Sequence, residues 1–214
     1  MITTPDMLWN GPARAALTVV LAHGAGAPMD TPFMTFFAEG LAERGFGVGR
    51  FEFPYMAARR TGKRKPPDRE PMLLDCWRNA TAGLKSPFVI GGKSMGGRMA
   101  SLIADDVGAA GLLCLGYPFV GMGGKENPKR TAHLAVLKTP ALICQGTRDP
   151  MGNKSFVTAL PLSRKIRLSW AEDGDHDLKP RKASGLTHAE NLAAALDAAG
   201  RFLEPLAAAK KRDR

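Results

Sequence analysis

The feature that most constrains the fold of this chain is the regular alternation of short apolar segments with longer segments of helical periodicity. Buried strands are typically short, apolar and rich in β-branched residues. Six segments have this composition: LTVVLAH, VGRFEFP, FVIGG, GLLCLGYP, ALICQGT and KIRLSWAE. A last helix is predicted over residues 187–208, where one apolar face is formed by Leu192, Leu196, Ala199, Leu203 and Leu206. The alternation predicts an α/β fold, with a mostly parallel sheet and helices on both faces.

The size and composition of the chain are those of an ordinary globular protein. Its 214 residues, 44% hydrophobic and 23% charged, are enough for a substantial core, and we expect residues 1–214 to form a single domain. The first residues, MITTPDMLWNGP, lack the features of a secretory signal, and no run is apolar and long enough for a membrane span. Cys114 and Cys144 lie in apolar runs and are interpreted as buried thiols. We therefore expect a cytoplasmic protein without membrane contacts.

The formal net charge of +10 comes partly from two local segments. RRTGKRKPPDR, residues 59–69, holds six basic residues and one acid, and the terminal KKRDR holds four and one. We interpret the tail from about residue 209 as frayed and solvated. Nucleic-acid binding would require base-reading or stacking groups on a basic face. Because only 7% of residues are aromatic and no such motif is present, we expect no nucleic-acid partner.

The segment VIGGKSMGGRM, residues 89–99, contains two overlapping motifs. Gly92-Lys93-Ser94 resembles the end of a phosphate-binding loop, but the residues that would form that loop, FVIG, are mostly strand formers. The same residues, through Gly96, form a G-x-S-x-G motif between a predicted strand and a predicted helix. Small residues on both sides of the serine are what a sharp strand-to-helix turn requires. The pattern therefore predicts that Ser94 is a catalytic nucleophile.

A nucleophilic serine requires a histidine base and an acid that orients it. His176, in WAEDGDHDLKP, and Asp149, in ICQGTRDPMG, each follow a predicted strand and therefore lie at the same sheet edge as Ser94. We predict these two as base and acid. The rival acids are the neighbours of the histidine in sequence, and the other histidines fit less well because they lie in predicted helices or precede the serine (Asp173, Asp175, Asp177; His23, His133, His188).

An oxyanion hole is the third requirement of this chemistry, and it consists of backbone N–H groups aimed at the developing negative charge. One donor is expected from Met95, the residue after the nucleophile. The other is expected from the glycine-rich loop HGAGAP after the first parallel strand, where Ala25 is the first choice and Gly26 the alternative. Chemistry of this kind needs no cofactor and no metal, and we expect neither.

The motifs LAHGAGA, GGKSMGG, GTRDP and GDHDL together resemble those of the α/β-hydrolase superfamily over essentially the whole chain. HGAGAPMDTPFM, FPYMAARR and LGYPF are similar to a narrower branch, which includes a testis-expressed animal protein and a subunit of a chromatin-bound acetyltransferase complex. Dienelactone-hydrolase-like proteins are the nearest well-understood relatives that the resemblance implies. Their nucleophile is a cysteine, whereas Ser94 occupies that position here, so their substrate is not transferred.

Segment lengths refine the fold that this resemblance implies. About 16 residues precede the first parallel strand, too few for the usual leading hairpin, so we expect about six strands. Residues 118–140 suffice for a loop and one helix, so we expect an open site without a cap domain.

Two classes of function are compatible with these motifs. The first is a serine hydrolase of a small acyl substrate (an ester, thioester or lactone), and the second is a non-catalytic binding or scaffolding protein with the same fold. We further predict that Arg59 or Arg60 in the basic loop recognises an acidic substrate, with Tyr117 lining the same pocket. The alternative interpretation of that loop is a solvated surface. Neither the oligomeric state nor the physiological substrate follows from the sequence.

Overall fold

The fold is built on one twisted, seven-stranded sheet. The structure is a computed structural model, and it describes residues 4–212 apart from 64 and 86. The sheet order is β1-β3-β2-β4-β5-β6-β7, with β1 antiparallel to β3 and the other strands parallel. The strands are β1 (Met7–Asn10), β2 (Thr18–Ala22), β3 (Gly47–Phe51), β4 (Phe88–Lys93), β5 (Gly111–Leu115), β6 (Ala141–Gly146) and β7 (Ile166–Ala171).

Helices cover both faces of the sheet, as the sequence predicts. They are α1 (Pro32–Glu43), α2 (Pro54–Arg60), α3 (Glu70–Thr81), α4 (Met95–Ile103), α5 (Lys154–Thr158) and α6 (His188–Arg212). Within β2, Val20 packs in the cluster under α3 and α4, while Val19 and Leu21 pack in the cluster under α1 and α6. Alternate side chains of a strand point to opposite faces. A central strand buried on both faces must therefore be apolar throughout, as β2 is.

The α/β-hydrolase fold class is confirmed, but the strand count differs from the prediction. Residues 7–10 form an additional antiparallel edge strand, with Leu8 opposite Arg50 and Trp9 opposite Gly49. The Trp9 ring occupies the space beside Gly49, where a Cβ would come within 2.9 Å of it. A strand of four residues leaves almost no periodicity in the sequence, and its pairing partner lies about forty residues away.

The connection between β5 and β6 contains no cap domain among the described residues. Residues 116–140 form turns and three short 3-10 helices, at Met122–Gly124, Pro128–Arg130 and Ala132–Ala135. Where one helix was expected between residues 118 and 140, the segment TAHLAVL forms only a 3-10 turn at Ala132–Ala135 with irregular flanks. The connection is fastened to α4 because His133 Nε2 lies 2.8 Å from Ser101 Oγ.

The C-terminal helix runs further than the sequence predicts. The helix was predicted to end near residue 208, whereas the backbone of α6 is helical to Arg212. Fraying from about residue 209 stays a prediction, and residues 213 and 214 lie outside the described residues. No helix within the described part of the chain combines the length and the hydropathy that crossing a bilayer would require.

Candidate active site

Ser94 occupies a strained turn between β4 and α4. Its backbone angles, φ 50° and ψ −115°, lie outside the regions that side-chain-bearing residues normally adopt. The turn is held against β2, because a Cβ on Gly96 would lie 2.3 Å from the carbonyl oxygen of Ala22. Gly92 has φ +141° and is equally close to that carbonyl. Glycine is therefore required on both sides of the serine, and the turn exposes the hydroxyl at the carboxyl edge of the sheet.

Three side chains predicted from the sequence are joined by hydrogen bonds at this edge. His176 Nε2 lies 2.8 Å from Ser94 Oγ, and His176 Nδ1 lies 2.7 Å from Asp149 Oδ2. They come from the ends of β4, β6 and β7, separated by up to 82 positions in the chain. This arrangement can take a proton from the serine hydroxyl onto Nε2 while the carboxylate holds the Nδ1 proton.

The Asp149 carboxylate is fully buried and held by further hydrogen bonds. Gln145 Nε2 donates to Oδ2 at 2.7 Å, and the Met151 amide donates to Oδ1 at 2.7 Å. Gln145 itself is buried, and it is fixed by the backbone of Tyr117, whose amide donates to its Oε1 at 2.7 Å. Gln145 was not among the residues predicted for the site. Its position could have been noticed in the sequence, because it is a polar residue at the end of the otherwise apolar strand ALICQG.

The rival acids each have another partner. Asp173 pairs with Arg148 and Arg181, whose charges and hydrogen bonds lower its pKa to about 2. Asp175 accepts the amides of residues 177 and 179 and so shapes the turn that carries the histidine. Asp177 pairs with Lys93 at 3.1 Å. Only Asp149, among these four, is hydrogen-bonded to the imidazole.

The glycine-rich loop after β2 lies beside Ser94 and is anchored from below. Tyr55 on α2 donates its hydroxyl hydrogen to the carbonyl of Ala25 at 2.9 Å. His23 is fully buried; its Nδ1 lies 2.6 Å from the Gly24 carbonyl and its Nε2 accepts the Phe53 amide at 3.1 Å. In a trans peptide the C=O and N–H groups point in opposite directions. The anchored carbonyls therefore turn the N–H groups that follow them, those of Ala25 and Gly26, away from the Tyr55 ring.

A cleft of about 760 Å³ opens over the serine. Ala25, Gly26 and Met95 line it, together with Ser94 and His176. Its walls are largely apolar, formed among others by Phe33, Met34, Pro118 and Met151. A volume of this size accommodates a small organic molecule. A cavity of about 1010 Å³ also exists at the opposite end of the strands, around Trp9 and Leu84, but it contains none of the residues described above.

Four basic residues for which no site role was predicted also line the cleft: Lys93, Arg98, Arg130 and Lys179. Arg98 lies one helical turn after Ser94, a spacing that could have been read from the sequence; its amide donates to the Ser94 carbonyl at 3.0 Å. Lys93 precedes the serine directly and was considered only as part of a phosphate loop. Nothing in the sequence indicates the position of Arg130.

The predicted substrate-binding role of Arg59 and Arg60 requires correction, because neither lines the cleft. Residues after Pro54 form α2 rather than a loop, and this helix directs both side chains elsewhere. Arg59 donates to the carbonyl of Lys65 at 2.8 Å. Arg60 makes a bidentate pair with Glu52, at 2.7 Å for both bonds, and a further contact with Asp30 at 3.0 Å.

Tyr117 likewise does not line the cleft. Its side chain is fully buried, and its hydroxyl donates to the carbonyl of Arg130 at 2.7 Å. The buried Tyr117 side chain therefore supports the connection between β5 and β6. Arg130 belongs to this connection and lines the cleft.

Comparison with known proteins agrees with this fold. The Alpha/beta hydrolase domain family matches residues 15–204, and the chain belongs to this family. A putative hydrolase of the α/β superfamily from Xanthomonas campestris is 26% identical, with a TM-score of 0.62 over 88% of this chain and 98% of that one. Family membership and hydrolase neighbours support a hydrolase.

Two further solved structures share the fold at lower identity. Dienelactone hydrolase from Anabaena variabilis is 19% identical, with a TM-score of 0.70 over 92% of this chain and 90% of that one. A serine hydrolase without lid from Xanthomonas campestris is 16% identical, with a TM-score of 0.65 over 94% of this chain and 88% of that one. The lidless neighbour agrees with the short connection between β5 and β6.

Proposed function

We propose that this protein is a serine hydrolase that cleaves an ester, thioester or lactone bond through an acyl intermediate on Ser94. The observation that carries the proposal is the hydrogen-bonded series Ser94–His176–Asp149, which opens into a cleft. A protein without chemistry has no need to hold a serine in a strained turn within 2.8 Å of an imidazole. This is the reason for preferring an enzyme over a scaffold.

In the acylation step, Ser94 Oγ attacks the substrate carbonyl carbon as its proton moves to His176 Nε2. The buried Asp149 carboxylate accepts the Nδ1 hydrogen bond, so it selects the reactive tautomer and stabilises the imidazolium. Gln145 and the Met151 amide each donate a hydrogen bond to that carboxylate and so restrict its rotation. When the tetrahedral intermediate collapses, the bond between the carbonyl carbon and the leaving group breaks. His176 Nε2 then donates its proton to the leaving group, at oxygen for an alcohol or at sulfur for a thiol.

Negative charge develops on the carbonyl oxygen during both steps. The amide of Met95, at the start of α4, is one proposed donor. The Ala25 amide is the second, with Gly26 as the alternative, because both face away from the anchored side of their loop. In deacylation His176 Nε2 takes a proton from water, the hydroxide attacks the acyl carbon, and Ser94 Oγ recovers its proton.

Covalent labelling and turnover test this proposal together. A fluorophosphonate probe is expected to label the wild-type protein and the Ser155→Ala control, whose exposed serine lies on α5, but not Ser94→Ala. Across a panel of short and long acyl esters, thioesters and lactones, Ser94→Ala and His176→Ala are each expected to lower kcat by about 10³- to 10⁶-fold.

The opposite result favours the scaffold. A wild-type protein that neither reacts with the probe nor exceeds Ser94→Ala on any substrate would overturn the proposed function. The sequence resemblance to the branch with a testis-expressed protein and an acetyltransferase-complex subunit supplies no substrate, and for that reason the panel is broad.

A further inference from the structure

The cleft over Ser94 carries more positive than negative charge. Among its described lining residues, the basic side chains are Lys93, Arg98, Arg130 and Lys179, and the one carboxylate is Asp177. Lys93 and Asp177 pair with each other. The charge that remains is concentrated at the two arginines and Lys179, so the electrostatic potential over the serine favours an anionic ligand.

Of the two arginines, only Arg98 is paired with a carboxylate among the described residues. Arg98 Nη2 donates to Glu70 Oε2 at 2.8 Å, and the Arg98 side chain is 15% exposed. Within the described residues, the Arg130 guanidinium makes one hydrogen bond, to the Pro118 carbonyl at 3.1 Å, and no ion pair. The charges of Arg98 and Glu70 both act on it, and burial together with the positive charge of Arg98 lowers the pKa of Arg130. A second anion would relieve this repulsion.

Position restricts what that anion can be. Arg98 is one turn along α4 from the serine. The Arg130 carbonyl accepts a hydrogen bond from the Tyr117 hydroxyl, which also lies 3.3 Å from Ser101 Oγ on α4. The guanidinium donors that remain free suit the planar, two-oxygen geometry of a carboxylate. The cleft that these arginines and the serine line is largely apolar, which suits a short hydrocarbon chain.

We infer that Arg98 and Arg130 form an anion subsite, and that the preferred substrates are esters carrying a free carboxylate a few carbons from the scissile bond. This inference rests on the proposed function, and it replaces the basic loop at residues 59–65 as the place where an acidic substrate is recognised.

Two matched substrate pairs measure the preference. Mono-p-nitrophenyl adipate and its methyl ester place the carboxylate, or its neutral analogue, on the acyl side. Para-acetoxybenzoate and its methyl ester place it on the alcohol side. We expect wild-type kcat/KM to be about tenfold or more higher for the acidic member of at least one pair, since a hydrogen bond to a charged group contributes about that factor.

Variants locate the preference in the structure. Arg130→Gln is expected to lower kcat/KM about 10- to 100-fold for the preferred acidic ester and by less than about threefold for its neutral partner. Arg130→Lys keeps the charge without the planar fork and is expected to fall between the two. Arg167→Gln, an exposed position on β7 outside the cleft, is the matched control and should behave as wild type. Arg98→Gln tests the second arginine of the subsite. Turnover of the neutral esters shows whether this variant is folded.

Equal activity on both members of both pairs, or equal losses on acidic and neutral esters in Arg130→Gln, would overturn the subsite while leaving the hydrolase intact. A binding assay separates the two proposals when no ester is turned over. Monomethyl adipate, with dimethyl adipate as the neutral comparison, is titrated into Ser94→Ala and into the Ser94→Ala/Arg130→Gln double variant. Binding of the acid that is weakened about tenfold or more by the second change supports the subsite, and identical titrations reject it.

Discussion

At the scale of single residues, Lys93 is a charged side chain that is buried beside the proposed catalytic residues. Its ammonium group is buried, which lowers its pKa, and it lies 5.2 Å from the centre of the Phe33 ring. It donates to the carbonyl of His176 and lies 3.1 Å from Asp177 Oδ1. Lys93 is adjacent to Ser94 in the chain. One side chain therefore connects the serine turn to the histidine turn across 83 positions.

Lys93→Met tests whether this contact positions the histidine. The substitution removes a buried ammonium group, and the Asp177 carboxylate that loses its partner is 66% exposed and stays hydrated, so the melting temperature is expected to change little. Loss of a charged hydrogen bond at the His176 carbonyl should lower kcat about 10- to 100-fold with KM nearly unchanged. Asp177→Asn retains the carbonyl contact and serves as the comparison, with a much smaller loss of kcat. Wild-type kcat in Lys93→Met would show that the histidine turn is held by other contacts.

At the scale of secondary-structure elements, the site depends on how closely α4 approaches β2. The Gly96 Cα faces the Ala22 carbonyl directly, so an added methyl group would have to displace β2 or the serine turn. Neither can shift freely, since β2 pairs with both β3 and β4.

Gly96→Ala is therefore expected to destabilise the protein by about 1–3 kcal/mol. It should also reduce ester turnover and fluorophosphonate labelling, because the turn carries Ser94. Gly83→Ala is the matched control: a Cβ there has no neighbour within 4 Å, and the residue lies in the turn after α3. Denaturant unfolding and probe labelling of both variants check the prediction, which fails if Gly96→Ala is as stable and as reactive as Gly83→Ala.

At the scale of the whole molecule, stability should depend on pH through histidines that are neutral in the native state. Burial, reinforced by the charge of Arg98, lowers the pKa of His133 from 6.5 to about 4. Burial also lowers the pKa of His23. Between about pH 6.5 and 4, the unfolded chain therefore binds protons that the native state does not. The free energy of unfolding must decrease as the pH falls through this window.

His133→Gln removes one of these groups and is expected to flatten the dependence. Wild type and variant are unfolded with urea at several pH values from neutral to about pH 4, and the difference at neutral pH gives the pH-independent effect of the substitution. Relative to that reference, wild type should lose stability faster than the variant as the pH falls. Parallel curves would mean that His133 is protonated equally in both states.

The sequence by itself determined the order of the six parallel strands and which residues meet at the carboxyl edge of the sheet. In a parallel α/β sheet every strand ends at that edge, so a residue just after an apolar run is placed there by local pattern alone. Ser94, Asp149 and His176 are all of this kind. The turn at Ser94 could be predicted from its flanking glycines for a similar reason, because the steric requirements of a sharp turn involve only neighbouring residues.

Only the tertiary structure decided which side chains reach one another once they are at that edge. The basic loop was predicted to reach the site, but α2 turns Arg59 and Arg60 toward Glu52 and the backbone, while Arg98 and Arg130 line the cleft. The edge strand β1 and the Lys93–His176 contact also depend on pairings between distant segments. Periodicity records which face of an element is buried, and it contains no information on the direction of a long side chain or on the partner of a four-residue strand.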